Sequence, residues 1–470
     1  MGVVTCALIA GPGHVRALAQ PPSAADLTLV KENRLSARAV DYTFTTPALA
    51  SPTTVRVLLP TGYDPSATTR YPVLYLLHGG AANYTSWTNQ GGIADRLTEG
   101  LPLIVVMPDA GRSAWYTDWY NNGLGGTPMW ETYHIDQLIP WIDAHLPTVG
   151  AREGRAIAGL SSGGFGTMSY ASRHPDLFVA AAAFSGALDT NTPPVLAGKV
   201  IDAFALQDLG PPGALFGLRE TEEVRWRGHN PWDLAGNLRG MALVVRTGNG
   251  NSGGRFGGGG PTDPGGSFLE SSVHDESVSF HNRLVALGID HVWDDYGPGT
   301  HNFAYWNDSL ARTLPLLMDV FAERRPAPTP FSFTAIEQHY DIYGWSVDLD
   351  RPVAEFSSLD DVSSGGFRLS GSGSATVTTA PVYDPGRTYD ITIRTESDNV
   401  CKLQRADEHG RLSIGVPLGK VNPTQQYFTP TGESPATRVF TTGVSIDRRH
   451  GPPPWLSTPE MAATPCSARN

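Results

Sequence analysis

Gly159-Leu160-Ser161-Ser162-Gly163 sets a serine between two glycines. The apolar run Ala156-Ile157-Ala158 precedes it, and Gly164-Phe165-Gly166-Thr167-Met168 follows. That context predicts a strand, a sharp turn and a helix. A serine on such a turn holds unusual dihedrals, and its neighbours two positions away lie so close that they need no side chain. The turn lifts the hydroxyl above the sheet edge and aims the first N–H groups of the helix at the same point. A serine hydroxyl is a weak nucleophile at neutral pH. It needs a histidine base, itself held by a carboxylate. Ser161 is the candidate nucleophile.

Where a serine sits on such a turn, the partners follow in the order acid, then histidine. Val292-Trp293-Asp294-Asp295-Tyr296 reads as the last strand, and Gly297-Pro298-Gly299-Thr300-His301-Asn302-Phe303 as the loop behind it. His301 is therefore the candidate base. His274, His281 and His291 fall on the preceding helix or strand start, where solvated or core roles are expected. The acid usually follows the Val244-Val245 strand. Here that strand opens into Gly248-Asn249-Gly250-Asn251-Ser252-Gly253-Gly254-Arg255-Phe256, which holds no carboxylate. Asp263, Glu270, Asp275 and Glu276 are the candidates that follow. Glu270 also fits a capping box, Ser267-Phe268-Leu269-Glu270, in which it would only cap a helix. A developing oxyanion needs preorganised donors. Tyr71 to Gly80 reads as a buried strand ending in a glycine turn, so the backbone N–H groups of Gly80 and Ser162 are the candidate donors. Gly79 lets substrate approach the backbone. His78 is expected to order this loop by hydrogen bonds rather than to act as base.

The elements that must hold these groups alternate. Apolar strands at Thr54–Pro60, Val73–Leu77, Leu103–Pro108, Ala156–Ala158, Phe178–Gly186 and Met241–Gly248 are separated by helical patterns such as Trp130–His145 and Phe268–Leu287. This predicts an α/β fold, a mostly parallel sheet with helices on both faces. Arg325-Pro326-Ala327-Pro328-Thr329-Pro330 breaks the pattern. Beyond it, short β-rich runs between Gly, Pro and Asp turns predict an all-β sandwich. The expected layout is a clipped signal peptide at 1–20, a catalytic unit at 27–325, a proline-rich linker at 326–335, a sandwich at 336–448 and a disordered tail at 449–470. A linker crosses few contacts, so a chain ending near Arg325 is expected to keep its chemistry.

A length of 470 residues suits two domains, and a net charge of −12 without a basic run argues against nucleic acid. No apolar stretch is long enough to span a membrane. The apolar start through Ala17-Leu18-Ala19-Gln20 suggests export. Of the three cysteines, Cys6 would leave with the signal. Cys401 and Cys466 remain, either as a disulfide or as free thiols. No cofactor or metal is expected, although Asp348 and Asp350 hint at calcium.

Several stretches carry a resemblance: Val105-Val106-Met107-Pro108, Trp115-Tyr116-Thr117-Asp118-Trp119-Tyr120, Trp130-Glu131-Thr132, Gly159-Leu160-Ser161, Thr247-Gly248-Asn249-Gly250, Phe268-Leu269-Glu270 and Gly299-Thr300-His301. Their order resembles the esterase branch of the α/β-hydrolases. That branch includes S-formylglutathione hydrolases, feruloyl esterases and, nearest in likeness, the antigen 85-type mycolyltransferases. The resemblance implies an α/β-hydrolase fold, with Glu270 as the triad acid beside Ser161 and His301. It also implies a secreted serine carboxylesterase, with an acyl-transferring enzyme as the alternative. In the mycolyltransferases the oxyanion loop reads Asp-Gly-Leu-Arg. Here it is His78-Gly79-Gly80-Ala81, and the tryptophan usual two residues after the base is Phe303. Both departures favour hydrolysis over transfer. A silent adhesion module is the reading from another class, and the intact serine, histidine and glycine loop argue against it. Trp115, Trp119 and Trp130 are candidates to line an acceptor pocket. The expected substrate is a small-molecule, envelope or polysaccharide ester, with Tyr343 and Trp345 of the sandwich as candidate carbohydrate contacts.

Overall fold

The structure, a computed structural model, describes residues 23–448 except 90, 193, 430–431 and 434–436. The signal segment, the tail, Cys6 and Cys466 lie outside the described residues. Nine strands form one sheet: β1 (Thr28–Arg34), β2 (Ala39–Thr45), β3 (Thr53–Leu58), β4 (Val73–Leu77), β5 (Ile104–Pro108), β6 (Arg155–Leu160), β7 (Ala180–Phe184), β8 (Ala242–Thr247) and β9 (Val292–Asp295). Their order is β1-β2-β3-β5-β4-β6-β7-β8-β9. The first three and the β3–β5 pair are antiparallel, and the rest are parallel.

The helices are α1 (Ala94–Leu97), α2 (Ile139–His145), α3 (Ser162–Arg173), α4 (Pro194–Ala205), α5 (Arg219–His229), α6 (Pro264–Ala286) and α7 (Phe303–Glu323). Every residue of β4 to β7 is buried, because helices cover both faces of the sheet. Alternate side chains feed two cores. Tyr75, Leu77 and Ile157 meet Phe165 and Met168 of α3 and Phe280 of α6 on one side. Leu74, Leu76 and Ala158 meet Leu310, Leu314 and Leu317 of α7 on the other. This is the α/β-hydrolase fold.

Two local expectations change. The helix expected over Trp130–His145 contains a π-helical stretch, Thr132–Leu138, before α2. Pro140 lies just beyond that stretch and has no N–H to donate, which favours a local change of hydrogen-bond pattern. The capping box is also corrected. α6 begins at Pro264, and Asp263 caps it by accepting from the Gly266 N–H at 2.9 Å. Glu270 lies well inside the helix and caps nothing.

Of the remaining strands, Phe428–Thr429 pairs with Gly432–Glu433 as a two-stranded sheet, and the others form two antiparallel sheets around one apolar core. A six-stranded sheet opens with β10 (Phe331–Ala335), and a four-stranded sheet opens with His339–Ile342. Leu359, Leu369 and Ile391 of the first meet Ile342, Val347 and Ile414 of the second. Phe331, Phe333 and Ala335 alternate inward in β10. The linker therefore ends at Pro330, and residues 331–335 of the expected linker are strand.

The expectation of few crossing contacts is overturned. Arg173, at the end of α3, donates to Glu131 at 2.8 Å and to Glu337 at 2.7 Å. Asn237 and Thr334 exchange two hydrogen bonds, each 2.8 Å. Tyr343 donates to the Pro175 carbonyl at 3.0 Å, and Trp345 is buried against Phe367. Neither aromatic is left as a free carbohydrate platform. Asp348 accepts from His339 at 2.7 Å. Among the described residues no group of three or more His, Cys, Asp or Glu could hold a metal ion.

Burial pushes the carboxyls of Glu131 and Glu337 up, but Arg173 holds both below the usual range. A carboxylate lowered in the folded state adds stability above its unfolded pKa, about 4.3, and loses it as pH falls toward the folded value. Arg173→Met is therefore expected to lower the unfolding free energy at pH 7 by about 3 kcal/mol, the low end for a buried pair because Glu337 keeps 32% of its side chain exposed. Urea unfolding checks this, and the gap to wild type should narrow below about pH 4. An unchanged midpoint at pH 7 would show that the ion pairs tying the sandwich to α3 carry no weight.

Candidate active site

Ser161 follows β6 and precedes α3, with φ 56° and ψ −125°. Its N–H donates to the Phe184 carbonyl at 3.0 Å, which ties the turn to β7. The two flanking glycines are sterically required. A Cβ on Gly159 would strike the Gly163 carbonyl, and one on Gly163 would strike the His78 carbonyl. The N–H of Ser162 opens α3, where the helix dipole favours negative charge. Neither it nor the Gly80 N–H has an acceptor among the described residues.

The loop bearing Gly80 is fixed by His78. The Gly79 carbonyl can only accept, so Nδ1 of His78 donates to it at 2.8 Å. Nε2 then accepts from the Ala110 N–H at 3.1 Å. Tyr116 donates to the His78 carbonyl at 2.8 Å. His78 is thus fully engaged below the loop.

His301 follows β9 and holds Nδ1 2.7 Å from Oε2 of Glu270, which is fully buried. A carboxylate accepts only, so Nδ1 carries the proton and Nε2 keeps a free lone pair. Oε1 of Glu270 accepts from the Gly248 N–H at 2.7 Å, the Ser185 hydroxyl at 2.9 Å and the Tyr296 hydroxyl at 3.3 Å. Ser185 is itself set by a positive φ of 48° and by Trp306, whose Nε1 donates to it at 3.1 Å. Ser161, Ser162 and His301 line one pocket.

The other acid candidates go elsewhere. Asp263 caps α6 and accepts from Thr300 at 3.1 Å, steadying the residue before His301. Asp275 is exposed beside His274. Glu276 lines the pocket but does not touch His301. His274 reaches Asp295 at 3.1 Å, while His281 and His291 pair with each other at 2.7 Å. Of the three tryptophans only Trp115 lines the pocket. Trp119 packs at Gly210, and Trp130 stacks on His134.

Sequence reasoning missed Ser185, Tyr296 and the Gly248 N–H, which together hold the Glu270 carboxylate. It also missed Phe204 of α4, whose ring lies against Gly80. The Phe184-Ser185-Gly186 ending of β7 was the one signal for Ser185, since a polar residue closing a buried strand sits at the sheet edge where sites form.

Residues 46–317 match the protein family described as Putative esterase. Esterase Rv1288 of Mycobacterium tuberculosis (strain H37Rv) is 34% identical over 282 residues, which is 59% of this chain and 58% of that protein. The chain thus spans less than two thirds of that relative's length. The diacylglycerol acyltransferase/mycolyltransferase Ag85A of the same organism is 30% identical over 260 residues, 52% of this chain and 72% of that protein. Among solved structures, Mycobacterium tuberculosis MPT51 (FbpC1) aligns with a TM-score of 0.47 at 22% identity, over 63% of this chain and 100% of that one.

Proposed function

Because the chain belongs to the Putative esterase family, we propose that it hydrolyses carboxylic esters through an acyl-enzyme on Ser161. His301 takes the Ser161 proton on Nε2 as the oxygen attacks the ester carbonyl. The Gly80 and Ser162 N–H groups receive the oxyanion. The Nε2 proton passes to the departing alcohol. Water then attacks the acyl-enzyme, with His301 again as base, and the acid leaves. Glu270 holds the imidazole in the right tautomer and stabilises its charged form. The observation that carries this reading is the 2.7 Å contact of His301 Nδ1 with buried Glu270, in the pocket that also holds Ser161.

Transfer to a sugar hydroxyl instead of water is the second reading, supported by the 30% identity to a protein named as a mycolyltransferase. Export is part of the proposal too. It rests on the apolar start of the chain through Ala17-Leu18-Ala19-Gln20.

Mixing the protein with nitrophenyl esters tests the chemistry. A burst of nitrophenol equal to the enzyme present, with one acyl group on Ser161 by mass spectrometry, is the expected result. Adding trehalose or glucose should leave the free acid as the main product. A predominantly acylated sugar would favour transfer. No turnover of short-chain, feruloyl or trehalose esters would defeat both readings.

A further inference from the structure

Four residues that line one pocket each hold a buried side-chain atom with no hydrogen-bond partner among the described residues. The atoms are Ser162 Oγ, Trp115 Nε1, Thr190 Oγ1 and Glu276 Oε2. Glu276 is 7% exposed and Thr190 2%. The walls between them are apolar, with Ile201, Phe204 and Val273 among them. Buried polar groups are nearly always paired, so orphans gathered on one cavity mark where a ligand's own polar group would sit.

Glu276 defines the distance. α6 turns Leu269, Ser272, Val273 and Glu276 toward the pocket, a spacing that places them on one helix face. Glu276 lies six residues past Glu270, about 9 Å along the helix axis. Burial pushes its carboxyl well above the usual range, and the neighbouring Asp189 and Asp275 push it further. Both effects favour the protonated acid, which can donate as well as accept. Asp189 is itself satisfied by Asn230, Asn191, Thr192 and Ser279. It adds a negative field without competing for the ligand.

Resting on the Ser161 reading, we propose that Glu276 and Thr190 determine specificity: the pocket takes an ester arm that is apolar along its length and ends in a neutral hydroxyl. A hydroxyl can donate to or accept from the acid and the threonine hydroxyl, and it can accept from the indole N–H. A plain alkyl end leaves them unpaired, and a carboxylate end meets the field of Asp189 and Asp275.

Two matched substrate series test this. One compares nitrophenyl esters of ω-hydroxy acids with those of the alkanoic acids of equal length. The other compares monoacetates of terminal diols with alkyl acetates, so the two series report which side of the ester enters the pocket. In one of them wild type should favour the hydroxyl by at least about tenfold in kcat/KM. Glu276→Met and Thr190→Val should each bring that ratio toward one. Should Glu276→Met fail to fold, as judged by its thermal melt, Thr190→Val decides alone. Wild type that cleaves plain esters with no hydroxyl preference overturns this inference and leaves the Ser161 reading standing. So does a ratio unmoved in the folded variants, or a preference for an ammonium-ended arm. Wild type that cleaves no ester overturns the Ser161 reading, and this inference with it.

Discussion

Ser161→Ala is expected to lower turnover on a soluble ester by about 10⁶ while the protein stays folded. Loss of the oxygen removes the bond-forming atom, so no acyl-enzyme forms and the base has no hydroxyl to deprotonate. What remains is binding and electrostatic stabilisation, worth on the order of 10³–10⁴ over water in comparable triads. The fold should hardly notice. The turn is fixed by main-chain bonds, from the Ser161 N–H to Phe184 and from Gly164 and Phe165 to the Ser161 carbonyl. Alanine meets the same strain at φ 56° that serine already bears. The measurement is steady-state turnover beside the thermal midpoint. An alanine variant with wild-type turnover and an unchanged midpoint would end the hydrolase proposal.

Glu270→Gln is expected to cost on the order of 10⁴ in kcat, and the structure adds a stability cost that the sequence did not predict. The carboxylate is approached by donors at both ends. His301 occupies Oε2, and Gly248, Ser185 and Tyr296 occupy Oε1. An amide has one accepting end. If its NH2 faces Gly248, donor meets donor in a fully buried site, at about 1–3 kcal/mol. If it faces His301, Nδ1 must accept, so Nε2 carries the proton and can no longer take one from Ser161. Either way the variant should be both slower and less stable. Asp263→Asn is the contrasting change, because asparagine caps a helix about as well as aspartate. It should stay within about tenfold of wild type, because Asp263 reaches the site through Thr300 and Gly266 rather than by a bond to His301 itself. A dead Asp263→Asn beside an active Glu270→Gln would move the acid to the glycine-rich loop.

The parts of the site that could be read in advance are those written in consecutive residues. Gly159 and Gly163 reveal the turn at Ser161, because only a backbone that close needs two glycines there. The loop holding His301 follows from its place behind the last strand. The acid could not be found this way. Four carboxylates fitted the chain order, and only a family likeness favoured Glu270. In the fold it is distinguished by partners from three separate elements: Ser185 after β7, Gly248 after β8 and Tyr296 after β9. No local spacing encodes such convergence. The ties of Arg173 to Glu131 and Glu337 were hidden for the same reason, since residues from three distant stretches meet in one network. The proline-rich run suggested a loose tether, but it says nothing of what its flanks pack against. Periodicity served better for the sheet, where continuous burial writes unbroken apolar runs, than for Trp130–His145, where Pro140 changes the winding.

The contact between Phe204 and Gly80 couples two distant positions sterically. No side chain fits at position 80 while the ring stands where it does. Mycolyltransferase-type loops carry leucine at the matching place, and a leucine at position 80 here would require residue 204 to move or shrink as well. A transplanted Asp-Gly-Leu-Arg segment would meet the ring before it met any sugar. The barrier between the two kinds of oxyanion loop in this scaffold therefore lies partly in α4, outside the motif by which the loops are usually told apart.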